Sequence, residues 1–249
     1  GPAPKVAFLF TGQGSQYVNM LRTLKETEPI ISEIFAEADR VMQPLIGKSL
    51  SSCIFLDESD EQALLIAEQN LKQTAITQPA VLATETALAR ILEAYGIFPD
   101  MVMGHSLGEY GALVSAGALS FDEALRAVSA RGVEMTKCAL DDNGTMAAVF
   151  GPIEEIQKII KSIDGYVVIA NINSSKEAVI GGTTAAMEKA MAAVREAGYV
   201  VRQLPVSHAF HTRIVAPAGD GLKNVLRNMD IRPPSVPVIS NVTGEFYPM

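Results

Sequence analysis

The sequence predicts an α/β protein, a parallel-sheet core carrying an inserted ferredoxin-like subdomain. Two observations predict it. Short, largely apolar runs at 5–10 and 101–104 alternate with helix-patterned stretches, as in a parallel sheet covered by helices. From residue 145 the alternation changes to βαββαβ, the split-βαβ order of ferredoxin-like folds. The expected large subdomain is 5–138 with 206–249, and the expected small subdomain is 139–205.

Each element follows from local pattern. Residues 5–10, Lys-Val-Ala-Phe-Leu-Phe, run into Thr11-Gly12-Gln13-Gly14-Ser15-Gln16 and read as a buried strand entering a tight loop. Residues 17–44 are helical with a break near Pro29, and 60–72 form another helix. Residues 78–95 have apolar positions at helical spacing, with Pro79 near the start, where a missing N–H is tolerated. A strand over 101–104 precedes helices over 107–117 and 121–140. Then come strand 145–150, helix 153–163, strands 166–172 and 178–181 around Asn173-Ser174-Ser175-Lys176, helix 184–197 and strand 199–205. A helix over 214–228 and a strand over 236–240 return to the core. There is no internal repeat.

The chain has 249 residues, 48% hydrophobic and 19% charged, enough apolar material for a large domain with a smaller insert. A net charge of −8 with no basic cluster argues against nucleic acid as a partner. No apolar run reaches the roughly 18 residues of a membrane span and no signal peptide precedes the first strand, so no membrane partner and a cytoplasmic location are expected. Cys53 and Cys138 lack CxxC spacing and are expected as buried free thiols. No set of acids, His and Cys has metal-ligand spacing, so no metal is expected. Gly1-Pro2 reads as a cleavage scar, and the ending at Tyr247-Pro248-Met249 suggests a domain cut from a larger chain.

The chemistry starts at Gly104-His105-Ser106-Leu107-Gly108, a G-x-S-x-G string with a strand before it and a helix after it. In a nucleophile elbow the glycines permit a sharp strand-to-helix turn that exposes the serine hydroxyl beside free N–H groups at a helix start. The plain alternative is a Gly-rich turn with a solvated serine. A nucleophilic serine needs a base, and the chain has three histidines. His105 adjoins Ser106, and neighbouring side chains on an extended segment point to opposite sides, so it is a poor base. His208 and His211 remain, in Val206-Ser207-His208-Ala209-Phe210-His211-Thr212. An oxyanion needs pre-placed donors. The Leu107 N–H, directly after the serine, is the first candidate. The Gly12-Gln13-Gly14 loop offers a second, because glycine-flanked backbone can approach a bound group closely.

These residues together resemble the acyltransferase family of fatty-acid and polyketide synthases, which includes malonyl-CoA:acyl carrier protein transacylases. The matching strings are Gly12-Gln13-Gly14-Ser15-Gln16, Thr77-Gln78-Pro79-Ala80, Gly104-His105-Ser106-Leu107-Gly108-Glu109-Tyr110, Arg131-Gly132 and His208-Ala209-Phe210-His211. The resemblance covers nearly the whole chain and implies a hydrolase-like core plus the ferredoxin-like subdomain. It implies Ser106 as the acylated nucleophile and His211 as general base, then acid, in a Ser–His dyad. It makes the Gln13 and Leu107 N–H groups the oxyanion hole. Arg131 would bind the carboxylate of the extender unit, where a guanidinium makes a planar two-point fit. Gln78, His105, His208 and Phe210 would line the substrate site.

The resemblance also implies malonyl-CoA as acyl donor, with no bound cofactor. The acceptor would be the phosphopantetheine thiol of an acyl carrier protein, with other synthase domains such as a ketosynthase as neighbours. In this family His-Ala-Phe-His usually accompanies malonyl rather than methylmalonyl specificity, and the Phe210 ring could fill the space an α-methyl branch needs. One departure stands out. The family's C-terminal segment, whose backbone carbonyl orients the histidine, is absent from the sequence, which contains no Trp. Two other readings stay open at this point: a serine esterase or thioesterase of similar core fold, and a catalytically impaired docking domain.

Overall fold

The computed structural model describes residues 4–57, 59–137, 142–204, 206 and 208–248. The chain forms two compact units, Gly1–Val133 with Leu222–Met249, and Glu134–Gly221. This division differs at both ends from the expected 139–205. Residues 206–221 go with the small unit because Ala209, Phe210, Ile214, Val215 and Ala218 share a core with Met135, Met146 and Val179. Several expected features lie outside the described residues: Cys138, the end of the 121–140 helix, Pro205 and Ser207. Cys53 is buried and free.

In chain order the first unit begins with β1 (Ala7–Phe10), α1 (Arg22–Thr27), α2 (Pro29–Ile46), α3 (Ser51–Ile54), α4 (Glu61–Leu71), α5 (Thr74–Ala94), β2 (Met101–Gly104), α6 (Gly108–Ser115) and α7 (Phe121–Lys137). The second unit holds β3 (Thr145–Phe150), α8 (Ile153–Lys161), β4 (Val167–Ser174), β5 (Glu177–Gly182), α9 (Thr184–Glu196) and β6 (Val200–Gln203). A short 3-10 turn at Arg213–Val215, α10 (Ala218–Leu226) and β7 (Val238–Ile239) complete the chain.

Pro29, expected as a break, is the first residue of α2, whose buried Ile31, Phe35, Ala38, Val41 and Met42 recur at helical spacing. Asp60 caps α4 by accepting the Ala63 N–H at 2.9 Å. Helix α5 begins at Thr74, ahead of the expected 78, so that Pro79 lies inside it. The Thr77 hydroxyl explains the early start: it donates to the Gln73 carbonyl at 3.0 Å and to the Leu71 carbonyl, securing a first turn before the proline is reached.

Strand β2 is central in a three-stranded parallel sheet, with β1 and β7 on either side. Phe8, Phe10, Val102 and Val238 pack on one face against Ala89 of α5, Ala112 of α6 and Ala116 just beyond it. On the other face Leu9 is 69% exposed and Met103 36%. The fully apolar strands thus have the expected helical cover on one face only.

The second unit is an antiparallel sheet in the order β4-β5-β3-β6. With the βαββαβ chain order, this is the ferredoxin-like arrangement the sequence predicts. Alternation along β3 splits its cover: Ala147 and Val149 join Ile156 of α8 and Met187 of α9, while Met146 joins the loop residues Ala209 and Phe210. Among the described residues no helix is long and apolar enough to cross a membrane, and no group of three potential metal ligands occurs.

Candidate active site

Between the end of β2 at Gly104 and the start of α6 at Gly108, three residues turn the chain. Ser106 does so at φ 54°, in the left-handed region. That conformation costs an L-residue about 1–2 kcal/mol, and such strain gathers where function needs it. The flanking glycines are required by close approach. A Cβ on Gly104 would lie 2.0 Å from the Gly108 carbonyl, and one on Gly108 would lie 2.3 Å from the Phe10 carbonyl oxygen. Strand, turn and helix are folded together as a nucleophile elbow demands.

The backbone N–H groups of the turn are almost all taken. Ser106 N–H donates to Asn241 Oδ1 at 2.7 Å, Gly108 N–H to the His105 carbonyl at 3.0 Å and Glu109 N–H to the Ser106 carbonyl at 3.1 Å. The Leu107 N–H between them has no acceptor among the described residues. It is therefore the one donor in the turn ready to receive an oxyanion. The Gly12-Gln13 turn comes to the same place. A Cβ on Gly12 would lie 2.9 Å from the His105 carbonyl oxygen and 3.0 Å from His105 Nδ1. The loop is held by its own bonds, Ser15 hydroxyl to the Gly12 carbonyl and Gly14 N–H to Gln16 Oε1. His105 itself is exposed.

Arg131 lies on α7, where Gly132 lets the helix pack closely on Ala75. Burial lowers the pKa of its guanidinium from the ordinary value, and the neighbouring Tyr110 and Glu109 of α6 partly offset that. A desolvated cation next to the elbow helix suits an anionic ligand. Gln78 is fully buried within α5. Two residues the sequence reading assigned no role also belong here. Asn241, in the turn after β7, grips the elbow. Its only sequence signal is a polar turn at the carboxyl end of a strand, where α/β sheets bind ligands. Glu85 of α5 accepts from the Thr11 hydroxyl at 2.9 Å, and burial raises its pKa to about 7. Its other oxygen is buried with no hydrogen-bond partner among the described residues.

His208, Phe210 and His211 belong to the second unit. His211 is exposed and has φ 57°, so among the described residues two of the four non-glycine residues with positive φ are Ser106 and His211. The others, Asn19 and Leu21, flank one turn before α1. The backbone around His211 is anchored on both sides. Ala209 N–H donates to the Asn143 carbonyl at 2.9 Å, and the Thr212 hydroxyl donates to the Ala209 carbonyl at 2.6 Å. Arg213 N–H donates to the Tyr166 hydroxyl, and the Arg213 guanidinium lies 3.8 Å from the centre of that ring. His208 is buried, which lowers its pKa, with its ring 6.0 Å from that of Phe210. Phe210 is 8% exposed, packed in the core beneath the loop. The site residues thus fall into two groups: Gln13, Gln78, His105, Ser106, Leu107 and Arg131 on the first unit, and His208, Phe210 and His211 on the second.

Known proteins share this chain's sequence and fold. The family profile described as "Acyl transferase domain" matches residues 7–246. The malonyl CoA-acyl carrier protein transacylase of Bacillus subtilis is 38% identical over 247 residues, covering 97% of this chain and 74% of that protein. Polyketide synthase GfsA of Streptomyces halstedii is 36% identical over 242 residues, 97% of this chain but 3% of the synthase. A solved complex of a malonyl-transacylase with its type II polyketide-synthase acyl-carrier protein superposes with a TM-score of 0.87 at 33% identity. The match covers 98% of this chain and 76% of the other. With the elbow, the two-unit architecture and a profile match over almost its full length, the chain belongs to the acyl transferase domain family.

Proposed function

We propose that this domain moves a malonyl-type acyl group from coenzyme A to the phosphopantetheine thiol of an acyl carrier protein through an ester on Ser106. The observation that carries the reading is the elbow: a serine held in the left-handed region, followed by a Leu107 N–H that lacks an acceptor among the described residues. Ser106 Oγ attacks the thioester carbonyl while its proton passes to His211. The oxygen that becomes negative is received by the Leu107 and Gln13 N–H groups. The C–S bond breaks, and the coenzyme A sulfur leaves with the proton from His211. The carrier thiol then attacks the ester, giving its proton to His211, and Ser106 takes that proton back. Arg131 pairs with the free carboxylate of the acyl group, and Gln78, His105 and His208 line the rest of the substrate site.

His211 as base rests on the family motif and on its own anchored, left-handed backbone. Similarity to free-standing transacylases supports malonyl-CoA as donor, and the solved complex with a carrier protein supports that partner. Similarity to synthases supports neighbouring domains such as a ketosynthase. The reading calls for no resident cofactor or metal and for a cytoplasmic setting, where coenzyme A thioesters are available. Intact mass after mixing with malonyl-CoA tests it. A malonyl-sized increase is expected, absent in Ser106→Ala and removed by a phosphopantetheinylated carrier protein. An adduct released to water as fast as to the carrier would make the domain a thioesterase instead.

A further inference from the structure

We infer that Asn241 is a positioning residue for the nucleophile: its side chain bridges Gly104 and Ser106 and holds Ser106 in its strained conformation. This rests on Ser106 being the nucleophile. The Asn241 carboxamide makes two bonds in opposite senses. Its Oδ1 accepts the Ser106 N–H at 2.7 Å and its Nδ2 donates to the Gly104 carbonyl at 2.6 Å. The amide thus spans His105 and pairs with the backbone on both sides of it, as a neighbouring strand would. The residue is itself held by a third bond, from its own N–H to Glu109 Oε1 at 2.9 Å, which ties it to the first turn of α6.

The placement follows from the sheet. β7 lies parallel to β2 with Met103 opposite Ile239, so the residues just beyond β7 fall beside those just beyond β2. Backbone pairing stops where the elbow turns away, and the Asn241 side chain takes it up. The Asn241 backbone is itself braced by the short turn that follows, in which Val242 N–H donates to the Ser240 hydroxyl and Ser240 N–H to the Glu245 carbonyl. Two consequences bear on chemistry. The left-handed Ser106 is opposed by steric cost and needs a counterweight, which the two side-chain hydrogen bonds of Asn241 supply. With the Ser106 N–H engaged, the oxyanion is directed to the Leu107 N–H, so Asn241 selects the donor as well as orienting the hydroxyl. Asparagine fits the task because it alone among short side chains carries a donor and an acceptor on one rigid plane. Aspartate keeps the acceptor for Ser106 but sets a negative oxygen against the Gly104 carbonyl.

The test is the rate constant of Ser106 phosphonylation by a fluorophosphonate probe, followed by mass in the whole domain, beside single-turnover malonylation by malonyl-CoA. A rate constant is read from whichever molecules are folded, whereas the labelling end point counts them. In Asn241→Ala both rate constants should fall on the order of 10- to 100-fold with the end point retained, the loss expected from a displaced reacting group. Asn241→Asp should fall as well, keeping the Ser106 bond and losing the Gly104 one. If only the end point or melting temperature drops while both rate constants match the wild type, Asn241 is merely structural and the inference is wrong. Wild-type protein that reacts with the probe in an Asn241-dependent way but never with malonyl-CoA would refute the proposed substrate and leave the latch standing. Wild-type protein that reacts with neither would overturn both.

Discussion

In the parallel-sheet unit Ser106 is held by backbone and near-backbone contacts. Two glycines bring strand and helix within touching distance, and a carboxamide occupies the serine's own N–H. In the antiparallel unit His211 reaches the same left-handed φ by another route. It is exposed, and the loop under it is nailed down by the burial of Ala209, Phe210 and Ile214 in a core, by the Thr212 hydroxyl donating to the Ala209 carbonyl and by the Tyr166 hydroxyl accepting from the Arg213 N–H. The difference teaches where each residue is vulnerable. The Ser106 turn depends on space, because a Cβ on Gly104 or on Gly108 would collide with main chain. The His211 turn depends on packing, because its loop stands on side chains.

Arg131 offers the hardest test of that contrast. It lies in the first unit beside the elbow helix, so removing it should affect recognition of the acyl carboxylate and spare the reactivity of Ser106 itself. Arg131→Ala should lower kcat/KM for malonyl-CoA on the order of 10²-fold, the cost of losing charged hydrogen bonds in a desolvated place. The rate of Ser106 labelling by a fluorophosphonate should stay near wild type. The variant should also gain ground on neutral acyl groups and release more acyl chain to water. Malonyl transfer at the wild-type rate would remove Arg131 from the substrate site.

An effect of another kind, on selectivity, is expected from the second unit. The proposal that Phe210 excludes an α-methyl branch predicts that Phe210→Ser narrows the malonyl to methylmalonyl preference. The change should be at most about 10- to 200-fold, since one methyl-sized group is worth roughly 1–3 kcal/mol. Because the ring is packed in a core, the same variant should melt earlier, by the cavity it leaves. The ratio of the two kcat/KM values is insensitive to the active fraction and isolates the specificity effect. An unchanged ratio with a lowered melting temperature would make Phe210 a support for the His211 loop only.

Much of this was legible in the sequence, and the gaps have physical causes. The βαββαβ order and the strand at 101–104 could be read because turn residues and apolar runs mark them locally. Ser106, Leu107 and the Gly12–Gln13 loop lie in motif strings in which glycine spacing encodes backbone geometry, whereas His211 is singled out from His208 only by the family resemblance. The start of α5 was set too late because Pro79 hid the Thr77 hydroxyl that closes the turn before it. The small unit's extent was underestimated at both ends, since Met135 and Ile214 join its core from outside the strands that define it. Asn241 was missed for the most general reason. It lies 135 residues from Ser106 in the chain, and only strand register brings the two together.

The last effect concerns pH, and it too separates the units by sign. Glu85, in the first unit, has its folded-state pKa raised by burial to about 7 from an ordinary value of 4.5. Between those values the folded chain keeps a proton that the unfolded chain has lost, so stability falls as pH rises through the window. The penalty is absent below about 4.5 and complete above about 7, roughly 3 kcal/mol at most. Asp142, in the second unit, has its pKa lowered from 3.8, chiefly by the Thr184 hydroxyl and N–H and then by the Gly144 N–H. Its contribution is present above 3.8 and is lost as pH falls through the lowered value. Denaturant melts from pH 4 to 8 should therefore show Glu85→Gln gaining stability on wild type as pH rises, with the gain levelling off above about 7. Asp142→Asn should lose stability at pH 7 and converge on wild type in strong acid. A Glu85→Gln curve parallel to wild type across the window would mean that the buried carboxyl is ionised in the folded state at pH 5, and that the Thr11 hydroxyl solvates it well enough to cancel its burial.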